Sequence, residues 1–127
     1  MSSPEEKKSY RLQFEPRPKY LFVRLSATTL DGESATAYQQ EIAAKCAELK
    51  LNRVMVYRDV KTSIGLGNLI LVVERMLEFM PDLRIAFVNP YAENAQALKF
   101  AVSVAVTRGG NHRLFPNEQE AEAWLLK

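Results

Sequence analysis

The residues best placed to do chemistry run Asp59-Val60-Lys61-Thr62-Ser63-Ile64-Gly65. An acid, an amine and two hydroxyls stand there just before an apolar stretch of helical period. A phosphate carried on Ser63 or Thr62, or bound from solution, would meet free backbone N–H groups and the positive end of a helix dipole. Either hydroxyl serves equally well as an ordinary N-cap. Stricter phosphate motifs are missing. A P-loop needs a lysine followed by serine or threonine after its second glycine, and Gly65-Leu66-Gly67 is followed by neither. No Gly-x-Gly-x-x-Gly run occurs. Asp59 as a phospho-acceptor would want an acidic cluster near the end of an earlier strand to hold a metal. Ser26, Ala27, Thr28 and Thr29 stand there instead.

Other reactive side chains read as structural. Cys46 lies late in a helical apolar stripe, away from the helix N-terminus or basic partner that would lower its pKa. One cysteine permits no internal disulfide, and with a single histidine, His112, it falls short of a four-ligand zinc site. His112 reads as a surface or strand-edge residue. Trp124 and Phe115 read as core closure. With no nucleophile–base pair and no metal set, the expectation is a protein that is not an enzyme and has no cofactor.

The elements that must position this junction follow from periodicity. The chain has 127 residues, enough for one domain; 47% are hydrophobic and 25% charged, with a net charge of +2. The basic residues are scattered, so no nucleic-acid groove is expected. No apolar run approaches the roughly 20 residues of a membrane span, and the polar N-terminus lacks a signal-peptide core, so the reading is a cytoplasmic protein. Residues 1–8 read as a disordered tail and 9–127 as the domain. Ser9 to Phe14 alternates as a strand that Pro16 and Pro18 should break. Tyr20 to Ala27 is its antiparallel hairpin partner.

A helix follows from near Asp31, with Ala35, Tyr38, Ile42, Cys46 and Leu49 on its apolar stripe. Arg53 to Asp59 is a nearly continuous apolar strand, expected to be covered on both faces. The next helix carries Leu66, Leu69, Ile70, Val73, Met76, Leu77 and Met80 inward and ends at Pro81. A strand at Arg84 to Asn89 leads to a helix from about Glu93 to Thr107, burying Leu98, Ala101, Val102, Ala105 and Val106. Gly109-Gly110 supplies a left-handed stop. A strand at His112 to Phe115 and a final helix, with Asn117 and Glu120 as a capping-box variant, complete the chain. The order β-β-α-β-α-β-α-β-α gives a single-domain α/β fold with a mixed, mainly parallel five-stranded sheet and about four helices. Ligands of such sheets bind beyond the carboxyl ends of the strands, where residues 28–34, 59–65 and 89–94 collect.

The layout from Tyr20 on resembles the STAS domains of anti-sigma-factor antagonists, and the small bacterial STAS-like proteins related to the CRAL-TRIO group. The likeness rests on Asp59 ending a strand before Thr62-Ser63-Ile64-Gly65-Leu66-Gly67, and on Arg113-Leu114-Phe115 leading into Glu120-Ala121-Glu122-Ala123-Trp124-Leu125. Antagonists of this type have an Asp-Ser-Ser-Gly-Leu-Gly-like run whose second serine accepts phosphate. With Gly65 aligned to that glycine, Thr62 takes the aspartate position, Ser63 the first serine and Ile64 the acceptor position. The resemblance implies a non-catalytic module that binds a protein partner or a second copy of itself through Asp59, Lys61, Thr62, Ser63 and Gly65. It also implies an alternative, a small-molecule or lipid carrier.

Overall fold

The computed structural model describes residues 10–27, 32–60 and 66–127. The expected tail, the cap at Asp31 and the segment Lys61 to Gly65 lie outside them.

Strand β1 (Tyr10–Pro16) pairs antiparallel with β2 (Leu21–Ala27), in the register Tyr10 to Ala27 through Pro16 to Leu21. The strand runs two residues past the expected Phe14 and ends at Pro16, inside the segment expected to break it. β1 is an edge strand and Pro16 its last residue, where a missing N–H costs the sheet little. Helix α1 (Gly32–Leu49), strand β3 (Arg53–Val60), helix α2 (Leu66–Phe79), strand β4 (Arg84–Val88), helix α3 (Ala95–Thr107), strand β5 (Asn111–Phe115) and helix α4 (Glu118–Leu125) follow. A single 3-10 turn, Ala92–Asn94, precedes α3.

The strands lie in chain order, β1-β2-β3-β4-β5, with every pair after the first parallel. A sequential order needs the same hand at each crossover, so α1, α2 and α3 pack side by side on one face. α4 has no strand after it and folds back over β3, β4 and β5 on the other face.

Strand alternation feeds two cores. Leu21, Val23, Leu25, Val54, Val56, Ile85 and Phe87 meet Tyr38, Ile42 and Cys46 of α1, Val72 and Met76 of α2, and Met80 just beyond it. Met55, Ala86, Val88 and Phe115 meet Ala121 and Leu125 of α4. The stripe expected on α1 is buried as read, apart from half-buried Leu49. On α3, Leu98, Ala101 and Ala105 are buried, but Val106 is 50% exposed, a correction to the expected face. A stripe that includes Leu98, Ala101 and Ala105 leaves position 106 a full 100° away.

Two helix ends use the same device. Gly110 N–H bonds the Ala105 carbonyl at 2.8 Å and Gly109 N–H the Val106 carbonyl at 3.0 Å, with Gly109 at φ 95°. α1 closes the same way through Leu51 to Cys46 at 3.0 Å and Lys50 to Ala47 at 3.3 Å. There the left-handed residue is Lys50, at φ 57°. Asn117 caps α4, its side chain accepting from Glu120 N–H at 2.9 Å. Its amide also donates to the Glu120 carboxylate at 2.7 Å, the variant box read from the sequence.

Candidate functional site

Strand β3 sends its side chains alternately to the two faces. Val54, Val56, Arg58 and Val60 point to the α1–α3 layer; Met55, Tyr57 and Asp59 point to the α4 side. α4 has only eight residues and packs mainly over β3, β4 and β5. The expectation that β3 is covered on both faces therefore holds for Met55 and fails beyond it. Tyr57 and Asp59 remain half-buried beside a stretch of sheet that, among the described residues, no helix fully covers.

Asp59 is the described member of the expected site. Its carboxylate accepts from Arg24 Nη2 at 3.2 Å and from the Tyr91 hydroxyl. Arg24 sits opposite Tyr57 in the β2–β3 register, and its guanidinium lies 5.0 Å from the centre of the Tyr57 ring. It therefore reaches Asp59 on the diagonal. Tyr91 arrives from the loop after β4, and two buried asparagines hold that loop. Asn89 N–H bonds the Phe115 carbonyl at 3.0 Å and its amide bonds the Tyr91 carbonyl at 2.8 Å. The Asn94 amide bonds the Val60 carbonyl at 2.8 Å, fastening the start of α3 to the end of β3. The hydrogen bond to Asp59 raises the pKa of the Tyr91 phenol above its ordinary value, since a phenolate there would lose its acceptor and face a carboxylate.

With the Arg24 and Asp59 side chains 43% and 34% exposed, this pair is screened and contributes under about 1 kcal/mol. Its role is positional: it aims Arg24 across Tyr57 and fixes the Asp59 carboxylate.

The strip continues down the same face. Phe22 lies 6.5 Å from Tyr57, centre to centre, and Arg17 stacks 4.3 Å over Phe22. Arg17 bonds Glu15 at 2.6 Å and the Tyr20 hydroxyl at 2.6 Å. Tyr20 in turn donates to Glu122 of α4 at 2.6 Å. Along the flank of α4 thus runs a row of arginines and aromatics: Arg17, Phe22, Tyr57, Arg24 and Tyr91, with Asp59 near its end. Tyr57 and Tyr91 carried no motif, and only the alternation of β3 pointed to Tyr57.

On the opposite face, α2 and α3 splay over the sheet around a cavity of about 40 Å³. Leu69, Val72 and Met76 of α2 and Leu98, Ala101 and Ala105 of α3 line it, together with Arg58 and His112. His112 is 5% exposed, not a surface residue as its sequence position suggested. It belongs to the inward set of β5 and packs edge-on to Phe87 at 5.8 Å. Burial lowers its pKa to about 4, so the ring is neutral near pH 7. Cys46 is buried and its thiol is pushed up to about 11, which keeps it protonated and unreactive. Among the described residues, no group of three or more His, Cys, Asp or Glu side chains could hold a metal. No helix among them is long and apolar enough to cross a membrane.

No protein-family description and no curated protein matches this sequence. Among solved structures, the chain is similar to an anti-sigma factor antagonist from Mycobacterium paratuberculosis. The superposition covers 100% of both chains with a TM-score of 0.58 at 18% sequence identity. The element order, sheet and helices agree, so the chain has a STAS-like fold.

Proposed function

We propose that the protein is a non-catalytic regulatory module that binds a protein partner. The docking surface is the open sheet flank beside α4 and the adjoining end of β3. One observation carries this: the half-exposed row of Arg17, Phe22, Tyr57, Arg24 and Tyr91, ordered by hydrogen bonds to Glu15 and Asp59 and by arginines stacked on the rings. Arginine and tyrosine are the side chains most enriched at binding hot spots. Holding them in place before binding reduces the entropy lost on association. The STAS-like fold shared with an anti-sigma factor antagonist supports a regulatory role.

Asp59 belongs to this surface directly. Lys61, Thr62, Ser63 and Gly65 follow it in the chain and complete the proposed contact segment. A phosphate on Ser63 or Thr62 would add about two negative charges three or four residues beyond Asp59 in the chain, changing what the segment attracts. The domain spans residues 9–127, with the first eight as a tail, and it works inside the cell.

The lipid-carrier alternative finds little support. The cavity under α2 and α3, about 40 Å³, is far below the several hundred needed to enclose an acyl chain.

Affinity capture from the native lysate tests the proposal. Wild type, Arg24→Glu with Tyr57→Ser, Ser63→Glu and the α3 surface control Lys99→Glu are compared. The expected result is a partner, or a second copy of the chain, retained by wild type and the control and lost by the double variant. Capture that is indifferent to the double variant, or no capture by any form, defeats the proposal.

A further inference from the structure

Strand β1 stands at one end of the sheet and, among the described residues, pairs with β2 alone. Its side chains alternate. Tyr10, Leu12 and Phe14 are half-buried against the α1 layer, where the Tyr10 hydroxyl donates to Glu41 and its ring meets Tyr38 edge-on at 5.9 Å. Arg11, Gln13 and Glu15 are exposed on the other face. The hairpin decides which backbone groups the free edge presents. Arg17 N–H bonds the Tyr20 carbonyl at 2.9 Å, so these two form a hydrogen-bonded pair of the ladder. Such pairs recur at every second residue of an antiparallel ladder, which makes Glu15, Gln13 and Arg11 the residues bonded to β2. Tyr10, Leu12 and Phe14 therefore aim their N–H and C=O groups outward. Pro16 belongs to the same outward set, so its missing donor takes nothing from the β1–β2 ladder.

This edge is complementary to itself. Set antiparallel to a second copy about an axis at Gln13, every residue from Tyr10 to Pro16 has a residue opposite it. Leu12 and Phe14 exchange backbone bonds with Phe14 and Leu12 of the second copy, and Tyr10 N–H meets the Pro16 carbonyl. Arg11 falls opposite Glu15, at the non-hydrogen-bonded positions where side chains stand closest, and symmetry repeats the pair. Glu15 already holds Arg17 at 2.6 Å, and its side chain, 61% exposed, has room for a second guanidinium. A slip of two residues either way shortens the ladder and sets a charge against Gln13, so the longest register is also the charge-matched one. Charges that keep an edge single bring like against like when a second copy approaches. Here the residue on the axis is neutral and the charges on either side of it are opposite in sign.

We infer that β1 is a docking edge for a second copy of this chain, the two copies joining β1 to β1 antiparallel about Gln13 and continuing the sheet across the pair. The contact is short against the roughly 1,200–2,000 Å² buried in stable complexes, so the dimer is reversible and concentration-dependent. Its two-fold axis stands perpendicular to the sheet, so the strips beside α4 face the same way in both copies. The edge stands whether or not that strip binds a protein.

Sedimentation equilibrium of the purified full chain between about 1 μM and 1 mM tests the inference, with amide exchange followed over the same range. Wild type is expected to pass from monomer to dimer. Exchange at Leu12 and Phe14 should slow as concentration rises, while Gln13 and Glu15 are protected throughout. Arg11→Glu and Glu15→Arg each set like charges against each other at both symmetric positions and should associate at least about tenfold more weakly. Mixed in equal amounts, these two variants should associate again, because each then meets the opposite charge on the other. Should Glu15→Arg not fold, Arg11→Glu and the exchange pattern of wild type still decide. Arg24→Glu with Tyr57→Ser should dimerise as wild type does, so the edge and the strip fail separately. A chain still monomeric at the highest concentration, a dimer indifferent to both single substitutions, a mixture no stronger than its components, or edge amides that do not slow on association would overturn the edge.

Discussion

The pH dependence of stability should be set, between neutrality and pH 5.5, by one buried ring. His112 is the single histidine of the chain, so no other side chain with an ordinary pKa titrates in that interval. Its pKa is lowered by burial from 6.5 to about 4 in the folded state. A depressed folded pKa means that the unfolded chain binds the proton more tightly. The stabilisation is then fully present above pH 6.5 and is lost as pH falls towards 4. The full difference, 2.5 units at 1.36 kcal/mol each, is about 3 kcal/mol. By the same relation about 1.4 kcal/mol is gone at pH 5.5, and below pH 4 this contribution stops changing. Urea unfolding followed by the fluorescence of Trp124 at pH 7.5, 6.5, 5.5 and 4.5 measures it. His112→Leu keeps the apolar contact with Phe87 and should flatten the curve between pH 7.5 and 5.5. If wild type and His112→Leu lose stability in parallel over that interval, the neutral buried histidine is refuted.

Further consequences follow from the interior and the helix ends. Cys46 should resist a thiol reagent in the folded protein at pH 8 and react at an ordinary rate only in denaturant, because burial holds its pKa near 11. Gly110→Ala should cost about 1–3 kcal/mol in urea unfolding, since a Cβ there would meet Leu77 Cδ2 at 2.9 Å and the Ala105 carbonyl at 3.0 Å. Lys50→Gly should do the opposite, gaining about 0.5–1 kcal/mol by relieving a left-handed lysine that closes α1.

Fold was more legible than site, and particular residues show why. The helical stripe Ala35, Tyr38, Ile42, Cys46 and Leu49 and the strand blocks at 53–59 and 84–89 each repeat one period often enough to identify the element and its buried face. That period-2 and period-3.6 bookkeeping gave the element order and the mainly parallel pairing, while the sequential placing of the strands came from the structure. His112 was misjudged because side-chain chemistry was weighed above parity: it shares its parity with Leu114 and faces the helices as that alternation requires. Pro16 read as a breaker because its missing donor was counted, but not its place at the end of an edge strand. Of the expected site, only Asp59 lies within the described residues, and its partners were hidden for different reasons. Arg24 meets it on a cross-strand diagonal that depends on register. Tyr91 comes from a loop whose course is set by Asn89 and Asn94, a pattern with no periodic signature.

The central claim is that the flank beside α4 is a docking surface. Hydrogen exchange of the protein, free and bound to its captured partner, tests this most directly. Amides of β2, the end of β3 and the loop at 89–94 should slow on binding, while those on the outer faces of α1 and α3 stay unchanged. Protection confined to α1, α2 or α3, with 20–27 and 55–60 unaffected, would place the partner on the wrong face and contradict the account.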